Sequence, residues 1–317
     1  MNTSLTIFFN QLILMISKKT LLNSIFFVFA LIGSISFLEK PVKAEESPIC
    51  PDPSTTSITS LADENDSSSF IALTGGEEGG FCRGTPDTYG VKVYKMGFCA
   101  KNPGNPSGSS VLEGSVPNYS TCTWAFESTA GETADFGPGG SIDLSEANSS
   151  VPASGIYPHA VMLISKDFRI KGKYGPVAGV TYYSTSEFEK SSTSISEYAI
   201  TTAPLTSFSG PTECSAYTEN ETVVGGTISA YLLDSTGTML VSDETENTGS
   251  PCTGQVKLLG VMNMTDSLTI SESTKGLKMT FVVTNNGMSV ISNSDGNSPP
   301  TALYMDSGPF SVTFETF

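Results

Sequence analysis

The sequence predicts an all-β fold: an antiparallel β-sandwich or jelly-roll-like domain, braced by disulfides. Three observations predict it. Short runs of alternating apolar residues recur beyond residue 85, with turn-forming clusters between them. No sustained helical spacing of apolar residues interrupts these runs. Six cysteines, at 50, 82, 99, 122, 214 and 252, all follow an N-terminal apolar segment.

That segment reads as an export signal. Lys18 and Lys19 precede the apolar run Leu21 to Leu38, and Val42 and Ala44 satisfy the small-residue rule for cleavage. Residues 1–44 are therefore expected to be a cleaved signal peptide, with Met15 as an alternative start. An uncleaved anchor fits less well, because Asn23, Ser24, Gly33, Ser34 and Ser36 interrupt the run. Export takes the chain to the cell surface, periplasm or extracellular space, where its thiols oxidise in pairs.

Residues 45–85 are rich in Ser, Thr, Gly and acidic residues. Gly75-Gly76-Glu77-Glu78-Gly79-Gly80 holds no regular element easily, so a mobile arm is expected there. The sandwich domain is expected over residues 86–317, with a possible sub-boundary in the Ser/Thr/Pro-rich stretch 203–222.

Within that domain, Tyr89, Val91 and Val93 alternate with Gly90, Lys92 and Tyr94. Val161 and Leu163 are followed out of phase by Phe168 and Ile170, which marks a bulge. Ile228, Ala230 and Leu232 share a face. The run Val256 to Val261 is apolar on both faces, as a central strand would be. Leu277 to Val283 and the run from Met288 flank Asn285-Asn286-Gly287, which predicts a tight hairpin. Six cysteines allow 15 pairings. Nearest neighbours would give Cys50–Cys82, Cys99–Cys122 and Cys214–Cys252.

Composition narrows the function. The chain carries 32 Asp and Glu against 16 Lys and Arg, a net charge of −16. Such a surface repels nucleic-acid phosphate and anionic membranes, so neither is an expected partner, and no membrane domain is expected after signal cleavage. Catalytic chemistry has little to work with. His159 is the one histidine, and no Gly-x-Ser-x-Gly elbow is present. Neither a catalytic nor a metal site is assigned, and a secreted hydrolase ranks third among the readings. No Cys-x-x-Cys spacing supports zinc. Calcium could use the oxygen-rich stretches Asp63-Glu64-Asn65-Asp66, Asp243 to Asn247 and Asn293 to Asn297, but none completes an EF-hand loop. No cofactor is expected.

Two surface candidates remain. Lys166, Arg169, Lys171 and Lys173 lie within eight residues, and the last three share strand parity, so they would form a basic ladder. On an acidic protein such a ladder suits a protein partner, self-assembly or an acidic polysaccharide. Trp124, beside Cys122, and the pair Tyr182-Tyr183 are weaker candidates for a ligand platform. Asn118, Asn148, Asn220 and Asn263 stand in Asn-x-Ser/Thr triplets. The leading expectation is an exported, non-enzymatic structural or interaction protein acting by adhesion or assembly. A carbohydrate- or other ligand-binding module is the alternative.

Overall fold

The computed structural model describes residues 48–61, 66–74, 80–137, 149–209, 213–223, 225–243, 250–274, 277–292 and 302–316. The expected signal peptide lies outside them. The described chain is nearly all β, and its named strands pair antiparallel. The largest sheet has eight strands. At its centre run β2 (Thr88–Cys99), β4 (Gly155–Ser165) and β12 (Lys257–Ile270). Beyond β12 lie β11 (Gly226–Leu233) and β10 (Tyr217–Val223). β3 (Cys122–Phe136) lines the far side of β2, and β5 (Asp167–Lys171) and β9 (Thr201–Pro204) complete the sheet.

β12 is apolar on both sides and lies between β11 and β4, where both of its faces are covered. The chain breaks at Lys166, between β4 and β5, at the predicted phase shift. Above the break β5 pairs with β2 and β9; below it β4 pairs with β2 and β12. A register shift at Tyr94 lets Val93 and Phe98, of opposite parity, enter the same core.

The inner face of this sheet carries the main core. Tyr89, Phe98 and Phe136 meet Phe310, Phe314 and Phe281, with ring centroids 5.7, 5.2 and 4.8 Å apart. Phe281 and Phe314 belong to β13 (Leu277–Val282) and β16 (Ser311–Thr316), which form a two-stranded sheet. A three-stranded sheet of β1 (Phe81–Gly84), β14 (Met288–Ser292) and β15 (Leu303–Ser307) adds Met288, Val290, Leu303 and Met305 to the same core. A third small sheet joins β6 (Lys173–Val177), β7 (Val180–Ser184) and β8 (Ser191–Ser192).

The outer face carries a smaller apolar cluster of Val161, Leu163, Tyr231, Leu233, Leu259 and Val261. The segment from Ala100 to Thr121, between β2 and β3, covers it with Val111, Leu112 and Tyr119. Backbone hydrogen bonds stitch that segment down: Gly114 donates to Met239 O at 3.0 Å, and Met239 donates to Ser115 O at 2.9 Å. Cys99 and Cys122 face each other across β2 and β3 and form the disulfide that closes its base. The other bridges are Cys50–Cys82 and Cys214–Cys252, so the nearest-neighbour pairing is the one present. Three disulfides indicate an oxidising compartment.

Three expectations need correction. The stretch 45–85 is not simply a loose arm. Ile58 and the short helix α1 (Phe70–Thr74) anchor it, with Ile58 and Phe70 buried in the main core and Phe70 edge-on to Tyr174 at 5.6 Å. Two large apolar side chains and the Cys50–Cys82 bridge hold this polar stretch. Residues 75–79 lie outside the described chain.

The predicted hairpin at Asn285-Asn286-Gly287 is a turn, but its two arms do not pair. β13 pairs with β16, whereas β14 pairs with β1 and β15. An Asn-Gly hairpin turn needs positive φ at both central residues. Here Asn285 has φ 55°, and neither Asn286 nor Gly287 is positive. Gly287 instead donates to Val283 O at 2.8 Å, and the chain turns a corner from one sheet into another. Finally, the stretch 203–222 marks no boundary, because β9 and β10 belong to the same sheet.

Candidate functional site

Three rungs of the basic ladder are paired with an acid, and the fourth, Lys171, lies against an aromatic ring. Lys166 pairs with Asp167 at 2.7 Å. Arg169 pairs with Asp135 at 3.2 Å, across the width of β2. The ion pair passes over Gly90, where a Cβ would lie 2.1 Å from Asp135 Oδ1. Lys171 sits 4.4 Å from the centre of the Tyr198 ring, and Lys173 is 3.6 Å from Asp87. Tyr198 donates to that same Asp87 carboxylate. The ladder also breaks at Gly172, where the chain leaves the large sheet, so Lys173 stands in another one. The shared parity is real, but acids from β5, β3 and the turn before β2 pair with three of the four cations. A bare positive face is not what the four residues form.

The three aromatic candidates do not converge. Trp124 packs at the rim of the outer cluster, edge-on to Tyr119 at 5.4 Å and under Lys95 Nζ at 5.0 Å. Tyr182 is buried in the inner core, which removes it as a ligand platform. Tyr183 projects oppositely, onto Tyr198 at 5.3 Å. Among the described residues, no group of three or more His, Cys, Asp or Glu could hold a metal. Of the oxygen-rich stretches, residues 63–65, 244–247 and 293–297 lie outside the described chain. Asp66 accepts from Ser68 N at 2.9 Å, a local turn.

What does converge is a set of residues from distant parts of the sequence, at one end of the outer face. The cavity there is about 360 Å³. Its floor is sheet: His159 on β4, Val261 and Asn263 on β12, and Ser229 on β11. Register places His159 opposite Asn263, and Ser229 opposite Val261. One wall is the start of the covering segment, from Ala100 to Gly108. The other is an irregularity in β10. Pairing with β11 shifts between Thr218 and Glu221, so Glu219 and Asn220 fall out of the ladder, and Asn220 takes a φ of 61°. A bulge of this kind re-aims a side chain. Here it aims Glu219.

A directed network holds Glu219. Its Oε1 accepts from Tyr231 Oη at 3.0 Å and from Asn105 Nδ2 at 3.1 Å. Tyr231 Oη accepts from Asn102 Nδ2 at 2.9 Å, and Asn102 Oδ1 accepts from Gly104 N at 2.9 Å. Burial, aided by the adjacent Glu219 charge, raises the Tyr231 phenol far above its ordinary value, so it stays a donor. Gly104 is required here. Its backbone lies flat on the Tyr231 ring, and a Cβ would come within 2.5 Å of it. Both hydrogen bonds fall on Oε1, and Oε2 takes neither. His159 is half-buried, and its Nδ1 is enclosed without a hydrogen-bond partner. Burial lowers its pKa below the ordinary 6.5, so the imidazole is neutral at pH 7.

Sequence reasoning passed over this site. His159 stood out only as the single histidine, and Asn220 and Asn263 only as Asn-x-Thr triplets. Glu219 carried no local signal. Compared with known proteins, the chain matches no family model, no curated protein and no solved structure.

Proposed function

We propose that this is an exported, non-enzymatic interaction protein. It binds a small polar ligand in the cavity between Asn102, Glu219 and Asn263, at the cell surface, in the periplasm or in the extracellular space. Its scaffold is a disulfide-braced β-sandwich of jelly-roll-like character. The inner face supplies the stability, and the outer face presents the site. Adhesion follows if the ligand is displayed on a surface.

The observation that carries this reading is the preorganisation of Glu219. Two elements, the Ala100–Thr121 segment through Asn102 and Asn105 and β11 through Tyr231, spend their polar groups holding one carboxylate at a cavity wall. Binding sites share this economy: few polar groups, fixed before the ligand arrives. Assembly through the basic ladder loses support for the opposite reason, because three of its four charges are already paired with acids within the chain.

The test is a ligand-observed NMR screen of the oxidised protein against a chemically broad library of polar compounds. Hits should vanish in Asn263→Trp, which fills the cavity from the exposed end of its floor, and persist in Arg169→Glu. A screen without hits, or hits indifferent to Asn263→Trp, would sink the proposal.

A further inference from the structure

We infer that the cavity takes a neutral, polyhydroxylated ligand, a saccharide of one or two rings. This inference rests on the binding reading above and names its ligand class.

The lining decides the class. Asn102, Asn105, Asn220 and Asn263 bring four primary amides to one cavity, with Glu219 and His159; Asn102 and Asn105 are engaged with Tyr231 and Glu219, which puts Asn220, Asn263 and Glu219 Oε2 forward for the ligand. An amide both donates and accepts, and Glu219 Oε2 only accepts. A sugar hydroxyl donates once and accepts twice, so adjacent hydroxyls are matched by an amide beside a carboxylate oxygen.

Other classes fit worse. An anion would call for a clamp of cations, whereas Lys101 is the one cation lining the cavity, and the chain carries −16 overall. A cation would call for several carboxylates, and Glu219 is the one acid there. An apolar ligand would find Val261, Ala100 and Pro106 among mostly polar neighbours. At about 360 Å³ the cavity stands near the small end of ligand sites, about 300–1,000 Å³. With Val261 as floor and no aromatic platform among its lining residues, binding is expected to be weak and driven by hydrogen bonds.

The experiment is a ¹H–¹⁵N NMR titration of the oxidised full protein. It is produced in a host that does not N-glycosylate, because Asn220 and Asn263 both stand in acceptor triplets. The probes are glucose, galactose and mannose with their common disaccharides, beside glucuronate and glucosamine as charged counterparts. A neutral sugar should shift the amides of Gly104, Ser229 and Asn263, and Glu219→Gln should weaken it about tenfold, as loss of a charged hydrogen bond requires. Should Glu219→Gln lose its dispersed spectrum, Asn263→Trp serves, and it should abolish the shifts. Binding of only a charged counterpart at these amides would overturn the assignment of a neutral ligand and leave the binding reading standing. No shift at these amides with any probe would overturn the saccharide class. The binding reading itself then falls only with the broader screen. A neutral sugar that binds equally well to both variants would overturn the assignment of Glu219.

Discussion

The two faces of the large sheet are made by the same strands and do different work. On β4, β11 and β12 every other residue is buried on each side: Met162, Leu232 and Leu258 inward, Val161, Tyr231 and Leu259 outward. The covers differ. The two-stranded sheet and Phe310 before it meet the inner face with interlocking aromatic rings, and the three-stranded sheet adds aliphatic and methionine side chains. The outer face is met by one irregular segment, held by a disulfide at its base and by backbone pairs to Ser115 and Met239. The sheet-covered face packs ring against ring. A loop-covered face closes over the middle, leaving a polar cavity at one end and the Arg169–Asp135 pair at the other. Binding groups therefore cluster where the cover is irregular.

Truncation inside the better-covered face should cost most. Phe281 is fully buried between Phe136 and Phe310. Phe281→Ala is expected to lower global stability by about 3–5 kcal/mol, read from the urea midpoint. It should do so without preferentially exposing the Ala100–Thr121 segment. If that segment opened first, the two faces would not be separable in the way their covers imply.

The complementary break is the outer disulfide. Cys99→Ser with Cys122→Ser releases a loop of sequence separation 23, worth about 3 kcal/mol in the chain-entropy picture. Hydrogen exchange should rise first at Leu112, Gly114 and Asn105, and the cavity should lose its wall before the inner core melts. Uniform loss of protection would show that the loop is no separate cover.

How much of this division was legible in the sequence follows from how local each signal is. The central place of β12 was legible because both of its faces are apolar within six residues. The break at Lys166 was legible because a phase shift is a property of neighbours. Turn chemistry at Asn285 to Gly287 was also local, and a turn duly forms there. Which strands it joins is not local: β13 pairs with β16, and β14 with β1 and β15. Parity correctly set Arg169 and Lys171 on one face, but the acids that pair with Arg169 and Lys173, Asp135 and Asp87, come from other segments. The cavity is the extreme case. Asn102, His159, Glu219 and Asn263 span most of the domain, and only strand register brings them together.

The bridge at the far end of the outer face separates backbone fit from charge. Arg169→Ala removes a half-exposed ion pair, and the expected loss is below about 1 kcal/mol. Gly90→Ala leaves both charges but sets a methyl 2.1 Å from Asp135 Oδ1 and 2.9 Å from Arg169 Cβ. It should cost about 1–3 kcal/mol, as overpacking does, and exceed the charge deletion. Equal costs in denaturant melts would mean that the strand shifts to admit the methyl.

The smallest expected effect belongs to the cavity floor. Burial lowers the His159 pKa from 6.5, so the folded chain binds fewer protons than the unfolded chain just below that pH. The stability from this group is complete above 6.5 and is lost as the pH falls through the folded value. Asp306 acts with the opposite sign, because burial raises it from 3.8 and acid favours its folded form. Exposed Asp52 and Asp234, lowered by their hydrogen bonds, lose their contributions only below 3.8. The wild-type melting curve sums all of these, so the histidine is isolated by difference. His159→Gln should flatten the slope between pH 7 and 5, narrowing the Tm change by about 1–2 °C. The inner face has no histidine to titrate, so Phe281→Ala should keep the wild-type slope. A slope unchanged in His159→Gln would mean that the cavity floor admits water freely, and that the outer face is open where its cover ends.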